Sequence, residues 1–255
     1  MNEGKPPALP GASARLAIVD ALRGAALIGM FVYHFSWDLL FFHLIGVDVG
    51  EDPAWRSFAH VIAASFLALA GIGLTLAHRQ GFRREAFFRR FFRIAFAAAA
   101  ISLVSFLLAT ALGVPDLFIY FGILHAVALA SLVAVPFLFA PAALVMLAAL
   151  LCLLAPSFIG SSFFENSLWW WLGLSQFVAS TVDYVPLLPW CGATLIGLLL
   201  GRAILAHAAS PLLAWTPRSR LGALLVLGGR WSLAIYLAHQ PILFGFAFVL
   251  SQVIG

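Results

Sequence analysis

Charge is what this chain has least of. Asp, Glu, Lys and Arg make up 9% of its 255 residues, against 64% hydrophobic residues and a mean hydropathy of +1.06. A soluble domain needs a polar surface, so this scarcity excludes one and leaves an all-α fold, a polytopic integral membrane helix bundle. Cysteine is almost missing as well. Cys152 and Cys191 are the only two, which excludes a disulfide framework, and no short ligand spacing of the H-E-x-x-H kind occurs, so no metal is expected. Lysine is rarer still, since all but one of the 14 basic residues are arginine. These arginines are scattered between apolar runs rather than gathered into one long patch, a pattern of membrane topology and lipid head groups and not of nucleic acid binding. No internal repeat is visible, which counts against carriers built from two related halves.

What is there is a series of apolar runs. About 20 residues cross a hydrocarbon core of ~30 Å, and on that scale about seven transmembrane helices are predicted, over residues 16–46, 57–78, 88–112, 117–137, 139–156, 186–206 and 229–253. Pro136 and Pro141 allow the fourth and fifth to be one bent helix or a tight hairpin. Arginines 79, 83, 84, 89, 90 and 93 follow the second run, and 202, 218, 220 and 230 lie between the sixth and seventh. Those connections are expected in the cytoplasm, with the N-terminus cytoplasmic and the C-terminus outside. The opposite connections hold Asp48, Glu51, Asp52, Asp116, Glu165 and Asp183, with Arg56 as their one basic residue. Residues 1–14 read as a disordered cytoplasmic tail and 15–255 as one transmembrane domain whose first run is an uncleaved signal anchor. The outer segment, about 157–185, carries Trp169, Trp170 and Trp171 and is expected to lie at the membrane interface, the other reading being a lid or substrate-stacking wall. Gly197 and Gly201 form a small-residue pair suited to close helix packing.

The first run carries Asp20, Arg23, His34 and Asp38 where a span should be apolar. At about 100° per residue Asp20 and Asp38 point the same way, with Arg23, Gly24 and His34 within roughly 60° of that line. Ionisable groups at membrane depth cost ~2.5 to 3.5 kcal/mol each on insertion scales, so such a stripe is expected to face a site or a partner. His34 and Asp38 are one helical turn apart, and a carboxylate that accepts from one ring nitrogen leaves the other free as a general base. His125 opens the fourth run and His239 lies inside the seventh, with Ser232 and Tyr236 on its face and Pro241 disturbing the helix nearby. Arg23, with Asp20 one turn away and the cytoplasmic arginines Arg79, Arg89 and Arg90, suits a phosphate-bearing ligand, because guanidinium forks match phosphate oxygens. Each of these also has a plain structural reading: a buried polar pair, a salt bridge, positive-inside topology. Between Arg23 and His34 the stripe is apolar, with Leu27 and Phe31, and predicts a thin tunnel about 16 Å long.

Arg15-x4-Asp20-x2-Arg23-Gly24, Tyr33-His34-Phe35-x2-Asp38-Leu39, Phe121-Gly122-Ile123-Leu124-His125, Asp183-Tyr184-x-Pro186-x2-Pro189-Trp190 and Ser232-Leu233-x-Ile235-Tyr236-Leu237-x-His239-Gln240-Pro241 occur in that order. As a set they resemble bacterial membrane proteins grouped with heparan-alpha-glucosaminide N-acetyltransferase, over about residues 15–250. The resemblance implies a membrane-embedded acyltransferase of the bacterial inner membrane. It would use acetyl-CoA as cytoplasmic acyl donor and an extracytoplasmic glycan or glycolipid as acceptor, with membrane lipids around it and a second copy of the chain as a candidate partner. The lysosomal member is similar in having a catalytic histidine in the outer loop after the first span, where this chain offers His43 and His60. On this reading His34, Asp38, His239 and His125 are the catalytic candidates. Arg23, Asp20, Arg79, Arg89 and Arg90 are the candidates for binding the donor, and Asp183, Tyr184, Tyr236 and Gln240 for binding the acceptor. A proton-coupled small-molecule transporter is the competing class, since intramembrane Asp and His suit it equally. A structural subunit is the third.

Overall fold

The computed structural model describes residues 16–176, 181–207 and 214–254. Among them the secondary structure is helical throughout: α1 (Ala17–Phe41), α2 (Pro53–Ala77), α3 (Arg84–Leu112), α4 (Ile123–Ala134), α5 (Ala142–Phe158), α6 (Leu187–Ala206), α7 (Arg220–Arg230) and α8 (Ser232–Ile254). The tail expected over residues 1–14 lies outside the described residues. α1, α2, α3, α6 and α8 are long and apolar enough to cross a membrane, while 123–138 and Ala142–Phe158 are shorter apolar helices. Together these seven correspond to the seven expected runs. The fourth and fifth are separate helices: α4 tightens into a 3-10 turn over Val135–Leu138 and α5 restarts after Pro141. Arg202 of α6 donates to the Phe137 and Ala140 carbonyls that this break leaves open.

Local chemistry sets several helix ends. Asp52 accepts from the Ala54 and Trp55 amides at 2.9 and 3.1 Å, with Pro53 at the first helical position of α2. Gly113, at φ 67°, ends α3 in the left-handed conformation that a Cβ disfavours.

Close backbone approach holds the bundle together. α2 and α6 meet where a Cβ on Gly71 would strike the Thr194 backbone and one on Gly197 the Ala68 backbone, and Thr75 Oγ1 donates to the Leu198 carbonyl at 3.1 Å across the seam. The packing role read for the Gly197 pair is therefore seen directly. α1 meets α7 in the same way, Gly24 against the Leu225 backbone and Gly229 against that of Asp20. The short helix α7 was not expected; the stretch between the spans at 186–206 and 229–253 reads as a cytoplasmic connection, and the last membrane helix begins at Ser232 rather than 229. Side chains such as Phe96, Leu151, Ile242 and Val249 on α3, α5 and α8 are exposed, as they should be where the solvent is lipid.

The outer segment forms two 3-10 turns, Ser162–Glu165 and Ser167–Leu172. It is tied down by Tyr184, whose hydroxyl donates to the Trp170 carbonyl at 2.6 Å. Burial, and then the neighbouring Tyr120, push that hydroxyl up to about 12.

Candidate active site

A cavity of about 480 Å³ opens at the arginine-rich end of the bundle and runs up between α1, α2, α3, α4 and α8. Arg23, Arg83, Arg90, Arg93 and Arg230 line its mouth, five guanidinium groups against the single carboxylate of Asp20. Asp20 is 2% exposed and pairs with Arg23 at 3.0 Å and Arg230 at 3.6 Å, so α1 and α7 are locked together at the rim. Gly73 leaves room for the Arg23 guanidinium, which also reaches the Leu69 carbonyl at 3.4 Å. Five cations around one acid repel one another unless an anion joins them, so the mouth has the charge to attract anionic groups.

Above the mouth the walls turn apolar, with Phe66, Ala70, Ile123, Leu124 and Val127, and the far end is marked by Tyr236. The tunnel predicted along Leu27 and Phe31 is thus displaced. Leu27 is 3% exposed, on a stretch of α1 where α7 packs at the neighbouring Gly24, and it does not line the cavity, whose α1 wall is Val19, Asp20 and Arg23.

At the far end the hydroxyl of Tyr236 donates to Asp183 Oδ2 at 3.2 Å, and the Ile123 amide, the first of α4, donates to the same oxygen at 3.1 Å. Gly122 leaves the space that this carboxylate fills, since a Cβ would run into it. Burial pushes the Asp183 carboxyl above the usual carboxylate range, against the pull of these two hydrogen bonds.

One turn beyond Tyr236 lies His239. Its Nδ1 donates to the Tyr236 carbonyl at 2.5 Å, and its Nε2 is buried without a hydrogen-bond partner. The carbonyl fixes the tautomer and leaves the lone pair on Nε2. The His34 ring meets the His239 ring edge to face at 5.1 Å, and Phe31 stacks on its other side at 5.7 Å. Asp38, fully buried, accepts from Gln240 Nε2 at 2.7 Å through Oδ1, while its Oδ2 and Gln240 Oε1 have no partner. Helical spacing pairs His34 with Asp38; in the structure each takes its described partner from α8 instead, because α8 lies against that face of α1 and presents His239 and Gln240 to it.

Other expected residues lie elsewhere. His125 sits in the first turn of α4, where its Nδ1 accepts from the Gly122 amide at 3.2 Å and its Nε2 lies 3.4 Å from Ser102 Oγ, so both ring nitrogens hold the helix start. Tyr184 anchors the outer segment. Arg79 and Arg89 do not line the cavity, and of the named arginines Arg23 and Arg90 do. His43 ends α1 at φ 58°, and His60 packs on Trp190 at 5.5 Å; neither joins the pair on α1 and α8. Arg83, Arg93 and Arg230 were missed as ligand candidates. Arg83 precedes the first turn of α3 and Arg89 lies only about 40° from Arg93 around that helix, so spacing alone does not pick out the lining arginines, and the place of Arg230 depends on α7.

With the cationic mouth, the apolar shaft and the imidazole pair in place, the match to a family model is decisive: the model described as heparan-alpha-glucosaminide N-acetyltransferase, catalytic, matches residues 15–241. The chain belongs to this family. Membership points to membrane acetyltransferase chemistry, and the matched interval takes in the cavity, the Tyr236–Asp183 contact and the paired imidazoles of this heparan-alpha-glucosaminide N-acetyltransferase relative. No curated protein and no solved structure matches the chain.

Proposed function

We propose that the protein moves an acetyl or other short acyl group from cytoplasmic acyl-CoA to a hydroxyl or amine of an extracytoplasmic glycan or glycolipid. The observation that carries this is one cavity joining five arginines at its mouth to Tyr236 at its tip, one helical turn from the His239 imidazole. The arginines hold the donor's phosphates, the shaft takes the uncharged arm, and the thioester arrives at Tyr236. His239 Nε2 takes the proton of the acceptor O–H or N–H as that atom bonds to the acyl carbon. The C–S bond breaks, CoA leaves as thiolate, and the imidazolium returns the proton to sulfur. His34 lines the same place as second base or oxyanion donor, and Asp38, held by Gln240, keeps an open acceptor oxygen for the incoming N–H or O–H. His125 supports α4 at the tip of the shaft, and Asp183 positions Tyr236.

Isothermal titration of the detergent-purified protein with acetyl-CoA tests this reading. Saturable binding is expected, weakened about tenfold by Arg90→Ala, the loss of one charge-assisted phosphate contact. A folded protein that does not bind acetyl-CoA would remove the proposal.

A further inference from the structure

A second concavity lies along α1 and α2 and shares no lining residue with the donor cavity. It is a groove of about 370 Å³ between α1 and α2, floored by Leu22, Ala26 and Gly29 on one side and Phe58, Ile62 and Leu69 on the other. Its α2 wall runs from Phe58 to Ile72, about 21 Å at 1.5 Å per residue, so it extends along most of one bilayer leaflet and into the next. Ser65, its one polar side chain, is satisfied internally by the Val61 carbonyl at 2.7 Å. A groove with no open hydrogen-bonding group, at membrane depth and facing the bilayer, takes a hydrocarbon chain.

Its outer end says which kind. Phe58 packs on Trp55 at 6.0 Å, Trp55 on Tyr33 at 6.3 Å, and Tyr33 on His34 at 5.6 Å, so the groove leads in three aromatic contacts to the imidazole pair. Arg56 stands beside Trp55 in the first turn of α2, exposed and close enough to act electrostatically on the Tyr33 hydroxyl. It is the one basic residue on a face that otherwise carries acids, so a phosphate at the outer end of the groove has a single cation to pair with.

We propose that the α1–α2 groove holds the hydrocarbon chain of an anionic lipid that carries the acceptor, with Arg56 binding the lipid's phosphate and Tyr33 and Trp55 guiding its head to His34 and His239. This rests on the acyltransferase reading and narrows its acceptor from any outer glycan to one anchored in the membrane. The donor then comes from the inner cavity and the acceptor from the lipid phase, through two cavities with separate linings.

The test uses the full chain in phosphatidylcholine nanodiscs. The probes are phosphatidic acid and phosphatidylcholine with the same diazirine-bearing chain, and crosslinks are mapped by mass spectrometry. Phosphatidic acid is expected to label the α1 and α2 groove peptides about fivefold more than phosphatidylcholine, the preference one arginine near a membrane surface supplies. Arg56→Gln should reduce phosphatidic acid to the phosphatidylcholine level. Ala25→Leu, which fills the groove from an exposed position, and Ser65→Leu from the other wall should cut labelling there to that of the lipid-facing surface of α5. Equal labelling by the two lipids, the signature of ordinary boundary lipid, or a preference that survives Arg56→Gln would overturn the proposal. Acetyl-CoA titration of the same variants keeps the two readings apart. Unchanged donor binding in Arg56→Gln and Ala25→Leu is expected, whereas absent donor binding in the wild type removes the acyltransferase and leaves the groove to be judged on labelling alone.

Discussion

His239 is the residue whose surroundings say most about its role. Tied at Nδ1 to its own helix and bare at Nε2, it has the arrangement that the proposed role of base requires before any substrate arrives. His239→Gln should therefore lower acyl transfer by about 10² to 10⁴ while leaving acetyl-CoA affinity unchanged, read by radiolabelled transfer beside titration. Asp183 gives a second prediction, in pH. Its carboxyl titrates higher in the folded protein than in the unfolded chain, so the folded state holds the proton more tightly. Below the ordinary carboxylate range the two states are equal; as pH rises through that range and up to the raised value, folding loses stability. The unfolding midpoint of the wild type should fall across this window, and Asp183→Asn, which still accepts from the Ile123 amide, should flatten the fall. Part of the arrangement was legible residue by residue: the polar stripe was expected to face a site or a partner, and its His34 and Asp38 meet His239 and Gln240 of α8, while His125 lies apart at the start of α4. The pairing was not. Spacing of four says that two side chains share a face, whereas the partner is chosen by whichever helix covers that face, and nothing in 16–46 tells how α8 will lie.

Helices were read well where a long apolar run announced them and poorly where packing made them. α7 is the case in point: 11 residues ending in Arg230 look like a cytoplasmic connection, and only Gly24 and Gly229, small enough for backbone contact, let it seat on α1 and deliver Arg230 to the cavity. The displaced tunnel has the same origin, since a helix that cannot be foreseen cannot be seen to pack against α1 at Gly24. Close packing also makes a stability prediction. Gly197→Leu forces a side chain into the α2 backbone at Ala68 and should destabilise the bundle by about 1–3 kcal/mol or more. Gly245→Ala, with open space around the added methyl, should stay within about 0.5 kcal/mol. Thermal unfolding of the two variants in the same detergent checks both.

For the whole molecule, the arginine asymmetry predicts that the cavity opens to the cytoplasm. In a background with Cys152 and Cys191 replaced by alanine, an impermeant thiol reagent applied to intact cells should label Glu51→Cys and should label Arg79→Cys only after the inner face is opened; the reverse pattern would invert the protein and its donor side. The cavity has an electrical consequence too. With its arginine mouth open to the cytoplasm, such a cavity would carry water and the inner potential inward, so that the transmembrane voltage would concentrate across the side chains beyond Tyr236. A proton that moves outward past that point works against nearly the whole drop, roughly 2.3 kcal/mol per 100 mV, whereas one that leaves through the shaft crosses almost none of it. The hydrogen-bonded stopper of Tyr236, Asp183 and the α4 amide would then act as an insulator, letting the proposed transfer proceed without short-circuiting the membrane.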